Sequence, residues 1–167
     1  RGEYQNRIII PSFNTKGKCD YFIARTFVKT QARYKNPEIS KDIIFNSLDL
    51  SWNKEIILVE GVFDAIKAGD NSIPLLGSTL SSESQMFENI IKYKQIVYIG
   101  LDDQDAHLKE REIIKQLLQY DITVYKIDTR GYKDIGEMTH EEFLLRKQNA
   151  LCITNDNYLL YTIGYLL

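Results

Sequence analysis

Short apolar runs recur through the second half of the chain. The run "EIILVE" (55–60) is continuously apolar and ends at Gly61, which is typical of a strand buried on both faces of a parallel sheet. The runs "IPLLG" (73–77), "QIVYIGL" (95–101) and "ITVYKI" (122–127) predict three further strands. Amphipathic stretches separate these runs, so the pattern predicts alternating strands and helices.

Four helices are predicted around these strands. "VFDAIKAG" (62–69) reads as a short helix ended by Gly69, and 81–94 and 106–120 carry apolar stripes at helical spacing. Ser82 and Gln85 stand at capping-box spacing, and Thr139 is a plausible N-cap for 139–148. Strand–helix alternation predicts a parallel sheet with helices on its faces.

The first third of the chain has a different pattern. "RIIIP" (7–11) and "CDYFIARTFV" (19–28) read as strands, and "NTKGK" (14–18) has the Asn and Gly of a hairpin turn. The fold class is therefore α/β, a parallel sheet flanked by helices and preceded by a small N-terminal mixed α+β, antiparallel subdomain. We expect three segments: 1–53 as a basic N-terminal subdomain, 54–148 as the main domain, and 149–167 as a tail that packs on or beyond the main domain. Two alternatives stay open for this tail: it packs as a strand and a short helix, or it has lost a partner with the rest of the protein.

Composition excludes several classes of protein. Hydrophobic residues make up 44% of 167 residues, and no apolar run approaches a membrane span. There is neither a secretory signal nor an initiator Met, so we expect a cytoplasmic fragment or excised domain, with Cys19 and Cys152 as reduced thiols.

Charged residues are unevenly distributed along the chain. Residues 1–50 carry nine Lys or Arg and five Asp or Glu, whereas the other 117 residues carry 12 Lys or Arg and 18 Asp or Glu. This split suggests a basic surface beside an acidic site.

Acidic residues follow the predicted strands. They are Glu60 after the first, Asp102, Asp103 and Asp105 after the third, and Asp134 with Lys133 and Glu137 after the fourth. Because parallel strands end at one edge, we expect these carboxylates to converge there. Converging carboxylates repel one another unless cations neutralise them, and hard oxygen ligands suit Mg²⁺ or Mn²⁺. That chemistry is typical of phosphoryl transfer.

The spacing of the central carboxylates leaves alternatives open. In an extended chain residues two apart point the same way, so Asp103 and Asp105 can serve one site while Asp102 points away unless the chain turns first. Taken singly, each acidic element also has a plain structural interpretation, as a helix cap, a turn residue or a solvated pair.

Four segments together resemble the Toprim domain. They are "ILVEGVFDAIKA", "LLGSTLS", "VYIGLDDQDA" and "GYKDIGEM". Toprim is the catalytic module of bacterial-type DNA primases, of type IA and II topoisomerases and of several nucleases. Glu60-Gly61 matches its first motif and Asp103-Gln104-Asp105 its Asp-x-Asp motif, although Asp102 stands where the family's first Asp usually follows the strand. In that second register Gln104 would replace an Asp.

The N-terminal third favours the primase branch. "NRIIIPSFNTKGKCDYFIARTF" followed by "RYKNPE" is similar to the segment that precedes Toprim in primases. "EGVFDAIKA" and the "KD…E" loop (133–137) also resemble primases, particularly those of bacteriophages. The resemblance covers roughly residues 5–145. The zinc-binding module that such primases carry upstream is not in this sequence, and we therefore expect an excised polymerase core.

The resemblance implies roles for individual residues. Glu60 would act as general acid/base or metal ligand, and Asp103, Asp105 and Asp134, with Asp102 as a further candidate, would hold Mg²⁺ or Mn²⁺. Template phosphates or the nucleotide would be contacted by Arg7, Arg25, Arg33, Lys35 and Asn36, with Tyr34 stacking on a base and Lys133 reaching a phosphate. Gly61 would let the backbone turn sharply beside the metal, and Asp64 would support the metal-binding residues without contacting the metal itself.

The expected activity is that of a DNA-directed RNA polymerase, a nucleotidyltransferase that synthesises short RNA primers. Its expected partners are single-stranded DNA, ribonucleoside triphosphates, a replicative helicase and a zinc-binding module, and no membrane. Two alternatives stay open: a Toprim nuclease using the same carboxylates, and a degenerate module that binds nucleic acid without catalysis.

Overall fold

The computed structural model describes residues 2–77, 80–101 and 107–164 of the chain. The chain divides into two compact units, Arg1–Leu50 and Ser51–Leu167. This division rests on compactness and not on activity, so the three functional segments predicted from the sequence, with bounds at 53 and 148, stay a prediction. No helix among the described residues is long and apolar enough to cross a membrane.

The first unit is built on a β-hairpin. Strands β1 (Arg7–Phe13) and β2 (Cys19–Thr26) pair antiparallel, as predicted. The predicted turn is confirmed, because the Asn14 side chain accepts hydrogen bonds from the backbone amides of Lys16 and Lys18. Gly17 takes a φ of 71°, which favours glycine. A 3₁₀ helix, Ser47–Asp49, follows near the end of the unit.

The second unit contains the predicted, mostly parallel sheet. Its strands are β3 (Ile56–Val59), β4 (Ser72–Pro74), β5 (Val97–Gly100), β6 (Val124–Lys126) and β7 (Leu151–Ile153). They lie in the order β4-β3-β5-β6-β7, with the first four parallel and β7 antiparallel to β6. All four residues of β3 are buried, as expected for a strand covered on both faces.

Helices flank this sheet. They are α1 (Val62–Ala68), α2 (Gln85–Tyr93), α3 (His107–Leu118), α4 (His140–Gln148) and α5 (Tyr158–Gly164), with a 3₁₀ helix at Ile135–Glu137. On one face a core forms from buried side chains of β3, α1, α4 and the 3₁₀ turn, namely Ile57, Val59, Ala68, Ile127, Ile135, Met138 and Phe143. Ile56 and Leu58, on the opposite face, are also fully buried.

One of the two helix N-caps predicted from the sequence is confirmed. Thr139 caps α4 as predicted, and its capping box with Glu142 is complete. The predicted cap of α2 was wrong: Ser84, not Ser82, accepts the hydrogen bond from the Phe87 amide. Gln85 is the first helical residue, so it cannot occupy the third position that a capping box needs.

The parallel strands end at one edge of the sheet. Backbone bonds continue past the last strand residues there, from Leu75 N to Val59 O (2.9 Å) and from Ile127 N to Ile99 O (2.9 Å). In open α/β sheets this carboxyl edge is where ligands bind. The loops after β3, β5 and β6 therefore define the region in which functional side chains are expected.

Candidate active site

Glu60 begins the loop after β3. Its backbone carbonyl accepts a hydrogen bond from Leu76 N at 3.1 Å, which ties the end of β3 to the chain leaving β4. The residue is half-buried. Glu60 therefore stands on a fixed backbone at the carboxyl edge, as its sequence position predicted.

Asp64 joins two loops of this edge. Its carboxylate accepts hydrogen bonds from the backbone amides of Gly61 (2.9 Å) and Gly136 (3.0 Å), and only 7% of the residue is exposed. Burial raises the pKa of Asp64, and the charges of Asp134 and Glu60 raise it further, whereas the two amides oppose the shift. Asp64 is thus a clamp between the loop of Glu60 and the loop of Asp134.

Two glycines make room for this clamp. Gly61 has an extended backbone (φ −126°), so the sharp turn expected from the sequence is not the reason for glycine there. The reason is close approach, since a Cβ on Gly61 would lie 3.1 Å from Asp64 Oδ2. A Cβ on Gly136 would lie 3.2 Å from Asp64 Oδ1 and 3.0 Å from Asp134 Oδ1.

The end of β5 packs against the loop after β6. A Cβ on Gly100 would lie only 2.6 Å from Ile135 Cδ1, so glycine permits this contact. The buried Thr129 hydroxyl donates to the carbonyl of Leu101 at 3.2 Å. Asp102, Asp103 and Asp105, the central candidates from the sequence, lie outside the described residues, and the choice between their registers stays a prediction.

Asp134 lies in the loop after β6 and is half-buried. Its side chain caps the 3₁₀ turn by accepting a hydrogen bond from Glu137 N at 3.0 Å. The Glu137 carboxylate accepts one from Lys133 N at 3.2 Å, and the Lys133 side chain is exposed. These local bonds hold Asp134 and Lys133 at the same edge as Glu60.

A divalent cation fits the donor chemistry of this edge. Its described carboxylates, Glu60 and Asp134, provide the hard oxygen donors that Mg²⁺ and Mn²⁺ prefer, and three more aspartates follow Leu101 in the sequence. Within residues 2–77, 80–101 and 107–164, no group of three or more His, Cys, Asp or Glu side chains could hold a metal by itself.

Several of the predicted nucleic-acid contacts, among them Arg7, Lys35 and Asn36, have partners inside the first unit. Arg7 donates to the carbonyls of Ala24, Ala32 and Arg33 (3.3, 2.9 and 3.3 Å). The Asn36 side chain accepts from Ala24 N at 3.2 Å. Lys35 forms an ion pair with Glu3 at 2.9 Å. Arg7 and Asn36 thus hold the segment around residues 32–36 beside β2.

The ring of Tyr34 contacts Arg33 of this segment and Arg25 of β2. The guanidinium carbons of Arg25 and Arg33 are 5.8 and 6.0 Å from its ring centroid, and 46% of Tyr34 is exposed. An exposed aromatic ring flanked by cations has the chemistry to stack on a base while the cations meet phosphates.

Sequence reasoning missed Gly100, Thr129, Ile135 and Gly136. Each acts through a contact distant in the sequence; the bond from Gly136 to Asp64, for example, spans 72 positions. Ile135 and Gly136 had a local signal, because they lie one and two residues after Asp134 in a predicted loop.

Comparison with solved structures gives the fold. The Aquifex aeolicus primase (zinc-binding and RNA polymerase domains) matches 99% of this chain with a TM-score of 0.74 and 22% sequence identity. The E. coli primase catalytic core matches 95% with a TM-score of 0.76 and 13% identity. The chain has the fold of a bacterial primase core. The resemblance read from the Toprim motifs is confirmed at this level.

A third match shares this primase fold. It is the DnaG primase catalytic domain bound to single-stranded DNA, matched over 95% of this chain with a TM-score of 0.76 and 14% identity. The chain spans about half the length of these structures, 47%, 55% and 56% in the three cases. No protein-family model matches the chain, and no curated protein matches it.

Proposed function

We propose that the chain is the catalytic part of a DNA primase, a nucleotidyltransferase that joins ribonucleotides on a single-stranded DNA template. One observation carries the proposal: in a primase-core fold, the Glu60 and Asp134 loops are clamped together at the carboxyl edge of the sheet. Because fold alone does not determine activity, the argument rests on the residues at this edge.

Mg²⁺ or Mn²⁺ would be held by Glu60 and Asp134 with two or three of Asp102, Asp103 and Asp105. Such a cation, when bound, neutralises triphosphate charge and makes an attacking hydroxyl more acidic. Glu60 would accept the proton of that hydroxyl or bind the cation. Exposed Lys133 would contact a phosphate, and Tyr34 with Arg25 and Arg33 would hold the template or the nucleotide.

The proposed partners are single-stranded DNA, ribonucleoside triphosphates, a replicative helicase and an upstream zinc-binding module, in a bacterial or phage-infected cytoplasm. Two matched structures support the first and last of these partners, since one contains single-stranded DNA and the other a zinc-binding domain.

The test is template-directed RNA synthesis by the 167-residue chain with labelled ribonucleotides and Mg²⁺ or Mn²⁺. We expect short RNA products that Glu60→Gln abolishes. Glu55→Gln is the matched control, because Glu55 immediately precedes β3 at the opposite edge and pairs with Lys147 at 2.9 Å. Template cleavage in place of synthesis would indicate a Toprim nuclease. Template binding without either reaction would indicate a non-catalytic module.

A further inference from the structure

A buried hydroxyl of the loop between β6 and α4 contacts the chain at the end of β5. Thr129 is 2% exposed, Leu101 is 1% exposed, and the Thr129 hydroxyl donates to the Leu101 carbonyl at 3.2 Å. Leu101 directly precedes Asp102 in the sequence. The bond therefore fixes the backbone at the point where the chain enters its most acidic segment.

This bond extends the pairing of two strands. The backbone bond from Ile127 N to Ile99 O (2.9 Å) continues the β5–β6 ladder at this edge. Two residues beyond Ile99 and Ile127, the Thr129 side chain donates a hydrogen bond to the Leu101 carbonyl. A buried carbonyl requires a hydrogen-bond partner, and here a side chain provides it.

Thr129 is also tied to the loop of Asp134. Its own carbonyl accepts a hydrogen bond from Tyr132 N at 3.2 Å, which forms the turn leading to Lys133 and Asp134. Further along the same loop, Ile135 packs against Gly100 of β5. One residue thus connects the strand end before Asp102 with the loop that holds Asp134.

We propose that Thr129 is a positioning residue of the acidic edge: its hydroxyl fixes the end of β5 relative to the Asp134 loop and so sets how well the edge binds a divalent cation. The inference rests on the cation site of the proposed function. Residues that orient metal ligands without touching the metal typically change metal affinity by about 10–100-fold when removed.

The experiment compares Thr129→Val with Thr129→Ser in the full chain, using Mn²⁺ alone as the probe and free Mn²⁺ measured by electron paramagnetic resonance. Valine keeps the shape but lacks the donor, so we expect about tenfold weaker Mn²⁺ binding. Serine keeps the hydroxyl, so its affinity should stay within about threefold of wild type. Ser72→Ala is the control, because Ser72 donates to the Gly69 carbonyl at the opposite edge of the sheet.

Each outcome decides the proposal. Unchanged Mn²⁺ affinity in Thr129→Val would overturn it. Equal losses of Mn²⁺ affinity in the Val and Ser variants would also overturn it, because serine keeps the hydroxyl and lacks only the methyl group of threonine, so that packing of this methyl group would then be responsible. Absence of Mn²⁺ binding by the wild type would also overturn it. If Thr129→Val does not fold, Thr129→Ala replaces it with the same expectation. Mn²⁺ binding that depends on the hydroxyl, without RNA synthesis, would refute the primase function but leave the role of Thr129 intact.

Discussion

Deleting the Asp64 carboxylate tests the clamp between the Glu60 and Asp134 loops. In Asp64→Ala, the amides of Gly61 and Gly136 lose their acceptor. A fully buried donor left unsatisfied costs about 1–3 kcal/mol, so these two half-buried amides cost at most about 2–6 kcal/mol. Removing a buried carboxylate whose pKa is raised by burial and by neighbouring charges returns part of this. We expect a net loss of about 2–3 kcal/mol in the free energy of unfolding.

Trp52 makes this loss measurable in the second unit alone. It is the only tryptophan and stacks on Tyr93 with ring centroids 5.4 Å apart, so its fluorescence reports on this unit. Denaturant unfolding followed at Trp52 should place Asp64→Asn between wild type and Asp64→Ala, because asparagine keeps one acceptor oxygen. Amide hydrogen exchange should accelerate at Gly61 and Gly136 more than at Ile127, whose amide bonds to Ile99 within the sheet.

The clamp reasoning has a clear refutation. If Asp64→Ala unfolds within about 0.5 kcal/mol of wild type, which is the range of ordinary surface substitutions, the two amides do not depend on Asp64. Equal acceleration of exchange at all three amides would mean that the substitution destabilises the unit generally, without a specific effect on the two loops.

Three further predictions concern the second unit and, as a control, one exposed glycine. Gly136→Ala should lower the free energy of unfolding by about 1–3 kcal/mol, because its Cβ would lie 3.0 and 3.2 Å from two carboxylate oxygens. Gly2→Ala is the control: its Cβ would lie in open space, so denaturant unfolding should show no measurable change. The hydrogen bond from Lys147 lowers the pKa of Glu55, so this pair stabilises the fold above about pH 4.5 and the contribution disappears as pH falls through the lowered pKa. Glu55→Gln should therefore differ from wild type by less than about 1 kcal/mol at pH 7, and in parallel unfolding curves the difference should shrink as the pH falls below 4.5. Mn²⁺ at ten times its dissociation constant should raise the free energy of unfolding by about 1.4 kcal/mol, and NaCl of equal ionic strength should not.

Much of the fold was predictable because its signals are local. The run 55–60 has the unbroken apolar character of a strand buried on both faces, and β3 is buried at every position. Thr139 and Gly69 mark helix ends through bonds that span only a few residues. The cap of α2 was misplaced by two residues because Ser81, Ser82 and Ser84 offer the same hydroxyl chemistry and only the observed helix start distinguishes them.

The site was predictable only in part, because its contacts are distant in the sequence. That Glu60 and Asp134 share an edge follows from strand order alone. The clamp does not, because no periodicity relates Asp64 to Gly136 across 72 positions. The same holds for the bond from Thr129 to Leu101, which spans 28 positions. The reason for Gly61 was also inaccessible, since close approach to a carboxylate leaves no pattern in the sequence.

At this edge, different side chains hold the loops together and provide the oxygen donors for the proposed cation. The bonds between these loops are made by a buried carboxylate with two glycine amides and by a buried threonine hydroxyl, so the backbone segments next to Glu60 and Asp134 are tied together within the protein. Burial is the largest cause that raises the pKa of Asp64, and the charges of Asp134 and Glu60 raise it further. A divalent cation held by Glu60 and Asp134 would offset these two charges. We therefore expect cation binding to stabilise the folded second unit and to occur at loops that are already in place.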